Sequence, residues 1–279
     1  MPNEPSARSP AARPSEAPRE IPFGDTSVRF FVPKGVEKPA FVLVLHGLGG
    51  SGAELAEALG LAQFAGAKQF MFAAPDGTLD TSGRRFWNAN QVCCNFSGEK
   101  LDDVARLMAL VDHAISLGAD SKRVFVVGYS NGGFMAHRLA CEHAKRVRAI
   151  VSLAATGPGP SEPCAPSQPV SVLEIHGDHD SIVPFEGGHL FGRDEFPIAP
   201  SVRSGFATWA RAAACEGELR AFERLDLTVE LAGTETQSYR YSSCRESSPL
   251  LWKVEGAGHT IPLGAPALNA IWGFLSAQR

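Results

Sequence analysis

Between residues 123–127, which read as a strand, and residues 131–141, which read as a helix, only Gly128, Tyr129 and Ser130 remain. So short a strand-to-helix turn commits the chain to alternating strands and helices, in which helices cover a mostly parallel sheet. The turn is tight enough that side chains two positions either side of the serine would meet neighbouring backbone, which accounts for Gly128 and Gly132. Ser130 then projects from the end of the sheet. The helix behind it directs its positive dipole end and free N–H groups at the same point. Gly128-Tyr129-Ser130-Asn131-Gly132 matches G-x-S-x-G in the strand-turn-helix setting where that serine serves as a nucleophile.

The rest of the chain keeps the alternation. Strands are predicted over residues 26–32, 40–45, 69–73, 148–153, 170–175 and 250–254, and the continuous apolar run at 41–45 fits a strand buried on both faces. Helices are predicted over residues 52–61, 101–117, 201–214 and 266–275. Ser97 is a candidate cap for the second of them, and Asp102 and Asp103 suit the dipole at its start. Residues 78–98 and the Pro/Gly-rich stretch 157–169 read as irregular, and 215–244 as an insertion before the last strand. The expected fold is α/β: an α/β-hydrolase arrangement with a mostly parallel central sheet flanked by helices on both faces. A length of 279 residues, 44% of them hydrophobic, suits one such domain over residues 21–279. Residues 1–20, rich in Pro, Ser, Ala, Arg and Glu, have the composition of a disordered tail.

A net charge of -4 and the absence of any dense Lys/Arg run argue against nucleic acid or anionic lipid as partners. The apolar runs are strand-sized, well below the ~20 residues of a membrane helix. Six cysteines with no CxxC pair favour an oxidising compartment, so export to the periplasm or the extracellular space is expected. No basic stretch followed by an apolar run opens the chain. The tail is then either the spacer left by a removed signal or a natural extension. Cys215 and Cys244 flank the insertion and are expected to pair, Cys141 with Cys164 is a further candidate, and Cys93 with Cys94 can bridge only through a small strained ring. The sequence is silent on oligomeric state.

Partners for Ser130 should follow it in the order acid, then histidine, each at a strand end. His259 lies in a glycine-bearing loop between the last strand and the last helix, placed to act as general base. After residues 170–175 the chain reads His176-Gly177-Asp178-His179-Asp180. Asp178 is still leaving the sheet and suits a turn cap, whereas Asp180 falls where the chain can bend back to orient His259. Metal ligands this close in sequence point apart in a turn, so no metal site is expected. The Asn131 N–H is one expected oxyanion donor, and Leu48 or Gly49, in His46-Gly47-Leu48-Gly49-Gly50, the other. No cofactor fingerprint appears and this chemistry needs none.

Several spaced motifs together resemble the secreted α/β-hydrolases of the polyhydroxybutyrate depolymerase and feruloyl esterase type. They are His46-Gly47 with Gly49-Gly50, Trp87-Asn88 followed by Cys93-Cys94, Leu101-Asp102-Asp103-Val104, Gly128 to Gly133, His176-Gly177 with Asp180 and Val183-Pro184, and Gly258-His259-Thr260. The resemblance covers nearly everything after residue 22. It implies an exported, cofactor-free hydrolase of short hydroxyalkanoate, acetylated-sugar or hydroxycinnamoyl esters, acting on small or polymeric substrates. Such proteins share a tryptophan two residues after the histidine, where this chain has Ile261. That wall of the cleft is therefore missing, or supplied by Trp87 or Phe185, and Tyr129 is a further candidate for substrate contact. Cleft shape should depend on loops 75–100 and 185–200. Two other readings are a peptidase or amidase of the same fold, and a binding protein without activity, which usually lacks one member of the Ser, His, Asp set.

Overall fold

The computed structural model describes residues 17–23 and 26–278. The chain opens with β1 (Arg19–Phe23) and β2 (Thr26–Phe31), then runs through β3 (Phe41–Leu45), α1 (Gly52–Ala58), α2 (Leu61–Lys68) and β4 (Met71–Pro75). A small hairpin of β5 (Thr78–Leu79) and β6 (Arg85–Phe86) precedes α3 (Asp103–Ser116), β7 (Val124–Tyr129) and α4 (Asn131–Glu142). There follow β8 (Ala149–Leu153), β9 (Ser171–Gly177), the short pair β10 (Gly188–His189) and β11 (Ile198–Ala199), and α5 (Val202–Ala212). The described chain closes with β12 (Cys215–Leu225), β13 (Thr236–Cys244), β14 (Leu250–Val254) and α6 (Ala265–Ser276).

Ten strands form one sheet in the order β1-β2-β4-β3-β7-β8-β9-β14-β13-β12. The stretch from β4 to β14 is parallel, and antiparallel strands extend it at both edges. Alternate residues of β3 explain its unbroken apolar run. Phe41, Leu43 and Leu45 enter the core shared with α3 and α4, while Val42 and Val44 enter the core shared with α1, α2 and α6. The parallel sheet with helices on both faces is the α/β-hydrolase arrangement. Among the described residues no helix is long and apolar enough to cross a membrane.

Four expectations need correction. The helix expected over 52–61 is broken at Gly60, whose φ of 55° is left-handed, and a second helix, α2, follows it. Asp102, not Ser97, caps α3, its carboxylate accepting the Ala105 N–H at 2.9 Å. β1 begins at Arg19, inside the expected tail, because pairing with β2 satisfies its backbone; residues 1–16 of that tail lie outside the described residues. The stretch 215–244 is no insertion but the edge hairpin β12–β13. Most of β12, with Glu216, Glu218, Arg220, Glu223 and Arg224, is exposed, so no apolar period marks it. Those charges also discourage another chain from pairing with the edge.

All six cysteines pair: Cys93 with Cys94, Cys141 with Cys164, and Cys215 with Cys244. The last closes the open end of the edge hairpin, with its partners 29 positions apart in sequence. Replacing both cysteines by serine should cost about 3–4 kcal/mol in the chain-entropy account. Urea unfolding under oxidising conditions measures this, and an unchanged midpoint would reject it.

Candidate active site

The turn after β7 holds Ser130 at φ 53° and ψ −119°, a strained conformation for a residue with a side chain. Two close approaches enforce it. A Cβ on Gly128 would stand 2.0 Å from the Gly132 carbonyl oxygen, and one on Gly132 would stand 2.2 Å from that of Leu45. The Ser130 N–H donates to the Leu153 carbonyl at 2.7 Å, which ties the turn to β8.

His259, from the loop between β14 and α6, brings Nε2 to 2.9 Å from Ser130 Oγ and Nδ1 to 2.8 Å from Asp180 Oδ2. Asp180 belongs to the loop after β9, and its Oδ1 accepts the N–H groups of Ile182 and Val183, each at 2.8 Å. Burial alone would raise the Asp180 carboxyl. Hydrogen bonds from His176 and His259 and the field of His259 outweigh it and hold the group well below the usual carboxylate range. Asp178 stands apart: it accepts the Gly256 N–H at 2.8 Å and pairs with Lys253 at 3.3 Å, clipping the ends of β9 and β14 together.

His176, absent from the sequence-based set, is the second imidazole on Asp180. It is fully buried, with Nδ1 2.9 Å from the Ala155 carbonyl, Nε2 2.8 Å from that of Val183, and Nε2 3.2 Å from Asp180 Oδ2. Carbonyl oxygens only accept, so both nitrogens are satisfied only as N–H groups, in the imidazolium form. Burial opposes that charge, but the bond to Asp180 and the fields of Glu174 and Asp180 outweigh it and raise the pKa. The signal was His176-Gly177 itself, which the sequence offers only as part of the motif with Asp180; the predicted strand stops at residue 175, whereas β9 runs on through Gly177 and seats the ring.

The two alternatives for the second oxyanion donor separate in the structure. The Gly49 N–H is taken by the Arg85 carbonyl at 2.8 Å, whereas among the described residues the Leu48 N–H has no protein acceptor. Asn131 stands at the first position of α4, where a backbone N–H has no intrahelical partner. Its side chain accepts the Trp87 N–H at 2.7 Å and donates to the Trp87 carbonyl at 3.0 Å. The Trp87 indole in turn donates to the His46 carbonyl at 3.0 Å. His46 Nδ1 donates to the Gly47 carbonyl at 2.7 Å and Nε2 accepts the Gly77 N–H at 2.8 Å, an arrangement only the neutral ring can make. Burial lowers its pKa accordingly.

A cleft of about 240 Å³ opens over Ser130, walled by Leu48, the Cys93–Cys94 pair, Ile182, Leu190 and Phe191, with Tyr129 and His259 at its edge. The loops at 75–100 and 185–200 thus supply much of its wall. Of the expected substrate contacts, only Tyr129 is there. Trp87 is fully buried, pinned between His46 and Asn131. Phe185 packs with Val202, Phe206 and Leu251, edge-on to His176. Ile261 faces away from this cleft, to the α1, α2 and α6 side, where it lines a separate apolar space. Sequence reasoning missed Leu190 and Phe191, which no motif marks, and the cysteine pair, which it treated as a bridge and a motif but not as a cleft wall. Among the described residues no group of three His, Cys, Asp or Glu side chains could hold a metal ion.

Comparison with known proteins adds family and fold. Residues 28–193 match the family model described as Phospholipase/Carboxylesterase. The chain is 28% identical to NocK of Nocardia uniformis subsp. tsuyamanensis, provisionally named an esterase, over 98% of this chain and 82% of that protein. Identity to a provisionally named feruloyl esterase C of Aspergillus niger is 38%, over 34% of this chain and 33% of that protein, so the match spans only a third of the relative. An acetyl xylan esterase from Aspergillus awamori superposes with a TM-score of 0.66 at 15% identity, over 94% of this chain and 99% of that one. That likeness speaks for the fold alone. The family match takes in more than half of the chain, including β3, the elbow at Ser130 and the Asp180 loop, and the chain belongs to the phospholipase/carboxylesterase family of α/β-hydrolases.

Proposed function

We propose that the protein is a serine carboxylic-ester hydrolase working through an acyl-enzyme, with Ser130 as nucleophile, His259 as general base and Asp180 as its orienting acid. The observation that carries this reading is the unbroken line from Ser130 Oγ through the His259 ring to Asp180, with contacts of 2.9 and 2.8 Å, opening on an apolar cleft. As Ser130 Oγ attacks the ester carbonyl carbon, its proton passes to His259 Nε2, and the oxyanion accepts from the N–H groups of Asn131 and Leu48. Collapse breaks the bond to the alcohol oxygen, which takes the proton from Nε2. Water then attacks the acyl-Ser130 carbonyl, giving one proton to Nε2. The acid leaves and Ser130 recovers its proton.

The small cleft supports compact acyl groups: short-chain, 3-hydroxyalkanoyl or flat hydroxycinnamoyl. The relative named for feruloyl esters accords with that range. Three disulfides support residence in an oxidising compartment, extracellular or periplasmic. The experiment is a panel of nitrophenyl acetate and butyrate, methyl ferulate, a polyhydroxybutyrate suspension and a peptide nitroanilide, run with wild type and Ser130→Ala. Ester turnover lost in the variant is expected. Turnover of the anilide in preference to the esters would move the assignment to the amidases, and no turnover of any would indicate a binding protein.

A further inference from the structure

A second space lies behind the cleft. Between the sheet face that carries Val44 and Leu153 and the helices that bear Leu55, Leu268 and Trp272, an apolar chamber of about 440 Å³ remains unfilled. Protein interiors pack to the density of organic crystals and leave few voids larger than a water molecule, so a space of this size next to a reacting centre calls for an occupant. No charged side chain lines it. Besides the Trp272 indole, its polar side chains are Tyr129 and Thr260, whose hydroxyls lie 3.5 Å apart, with the Tyr129 hydroxyl also donating to the His259 carbonyl at 3.3 Å. A matching ligand is therefore an uncharged hydrocarbon.

Position says which part of an ester that is. Residues 260–263, the segment directly after His259, form one wall of the chamber. Tyr129 stands in the walls of both chamber and cleft, its ring centre 5.5 Å from that of His259. The leaving oxygen must meet His259 Nε2 to be protonated, so the group attached to it departs on the His259 side. We propose that the chamber takes the alkyl chain of the ester's alcohol, the cleft over Ser130 takes a small acyl group, and Tyr129 is the partition between them. This rests on the esterase reading, which fixes where the leaving oxygen lies. The preferred substrates are then small-acyl esters of medium-chain, uncharged alcohols. The Tyr129 hydroxyl contacts, at 3.3 and 3.5 Å, are both long, so turning the ring aside for the chain breaks no short hydrogen bond.

Octyl acetate and ethyl octanoate are isomers and separate the two sides of the ester. For wild type, kcat/KM on octyl acetate should exceed that on ethyl octanoate by about tenfold or more, within the range a hydrophobic pocket can discriminate. Leu268→Trp, which fills the chamber from a partly exposed position, should bring the two together, with Leu59→Trp at the C-terminal end of α1 as the second variant if the first fails to fold. Independently of turnover, 1-octanol titrated into Ser130→Ala should shift the Trp272 fluorescence saturably, and Trp272→Phe in the same background should remove the signal. A preference for ethyl octanoate would overturn the proposal by giving the chamber to the acyl chain. Turnover with neither isomer preference nor octanol binding would overturn it and leave the esterase reading intact. No turnover of any ester, small ones included, would sink that reading and with it the assignment to an alcohol.

Discussion

Replacing Asp180 by asparagine should lower kcat by about 10⁴ while leaving the fold in place, the loss seen when an orienting carboxylate becomes an amide and the histidine takes the wrong tautomer. Here the amide would also face two N–H donors on one side and two imidazoles on the other, so no orientation of its NH₂ satisfies every neighbour. Asp178→Asn should cost far less. Its carboxylate meets Gly256 and Lys253 and has no contact with His259, so its removal loosens a clip between strand ends. Steady-state kinetics on nitrophenyl butyrate, with circular dichroism to verify folding, decide between them. The reverse ranking in folded variants would move the acid to Asp178.

Trp87→Ala should destabilise the protein by about 3–5 kcal/mol, the cost of emptying a large buried aromatic site. The ring is fully enclosed, with the Arg106 guanidinium 5.3 Å from its centre, and its removal also leaves the His46 carbonyl without the indole donor. Because Trp87 braces both Asn131 and the turn that carries Leu48, the residual activity should show a lowered kcat more than a raised KM. A urea midpoint read beside the kinetics is the check. An unchanged midpoint with an altered KM alone would return Trp87 to the cleft wall.

What could be read from the sequence, and what could not, follows from the range of the forces involved. The elbow was legible because its constraint is local: Gly128 and Gly132 answer to carbonyls of the same turn and the neighbouring strand. His259 and Asp180 were legible as loop residues after strands, since parallel topology brings strand ends together. Aromatic side chains were not. Trp87 and Phe185 are large enough to wall a cleft, but which side of a loop they take depends on partners such as Asn131, His46 and Phe206 that lie far along the chain. The choice between Leu48 and Gly49 depended on one carbonyl, that of Arg85 in a two-residue strand too short to leave a pattern. The edge hairpin was hidden for a different reason. Held by backbone pairing and a disulfide, β12 carries no alternation of apolar residues to announce it.

The buried pairing of His176 with Asp180 ties the stability of the loop after β9 to pH from both sides. Asp180 titrates below its unfolded value, so its contribution to stability is present above that value and is lost as acidification reaches the folded one. His176 titrates above its unfolded value, so its contribution is present below that value and is lost as pH rises through the folded one. One buried pair therefore sets a floor and a ceiling on the same loop. The upper limit is set inside the protein, by the carbonyls of Ala155 and Val183 and the carboxylate of Asp180 that surround His176, rather than by charges on its surface.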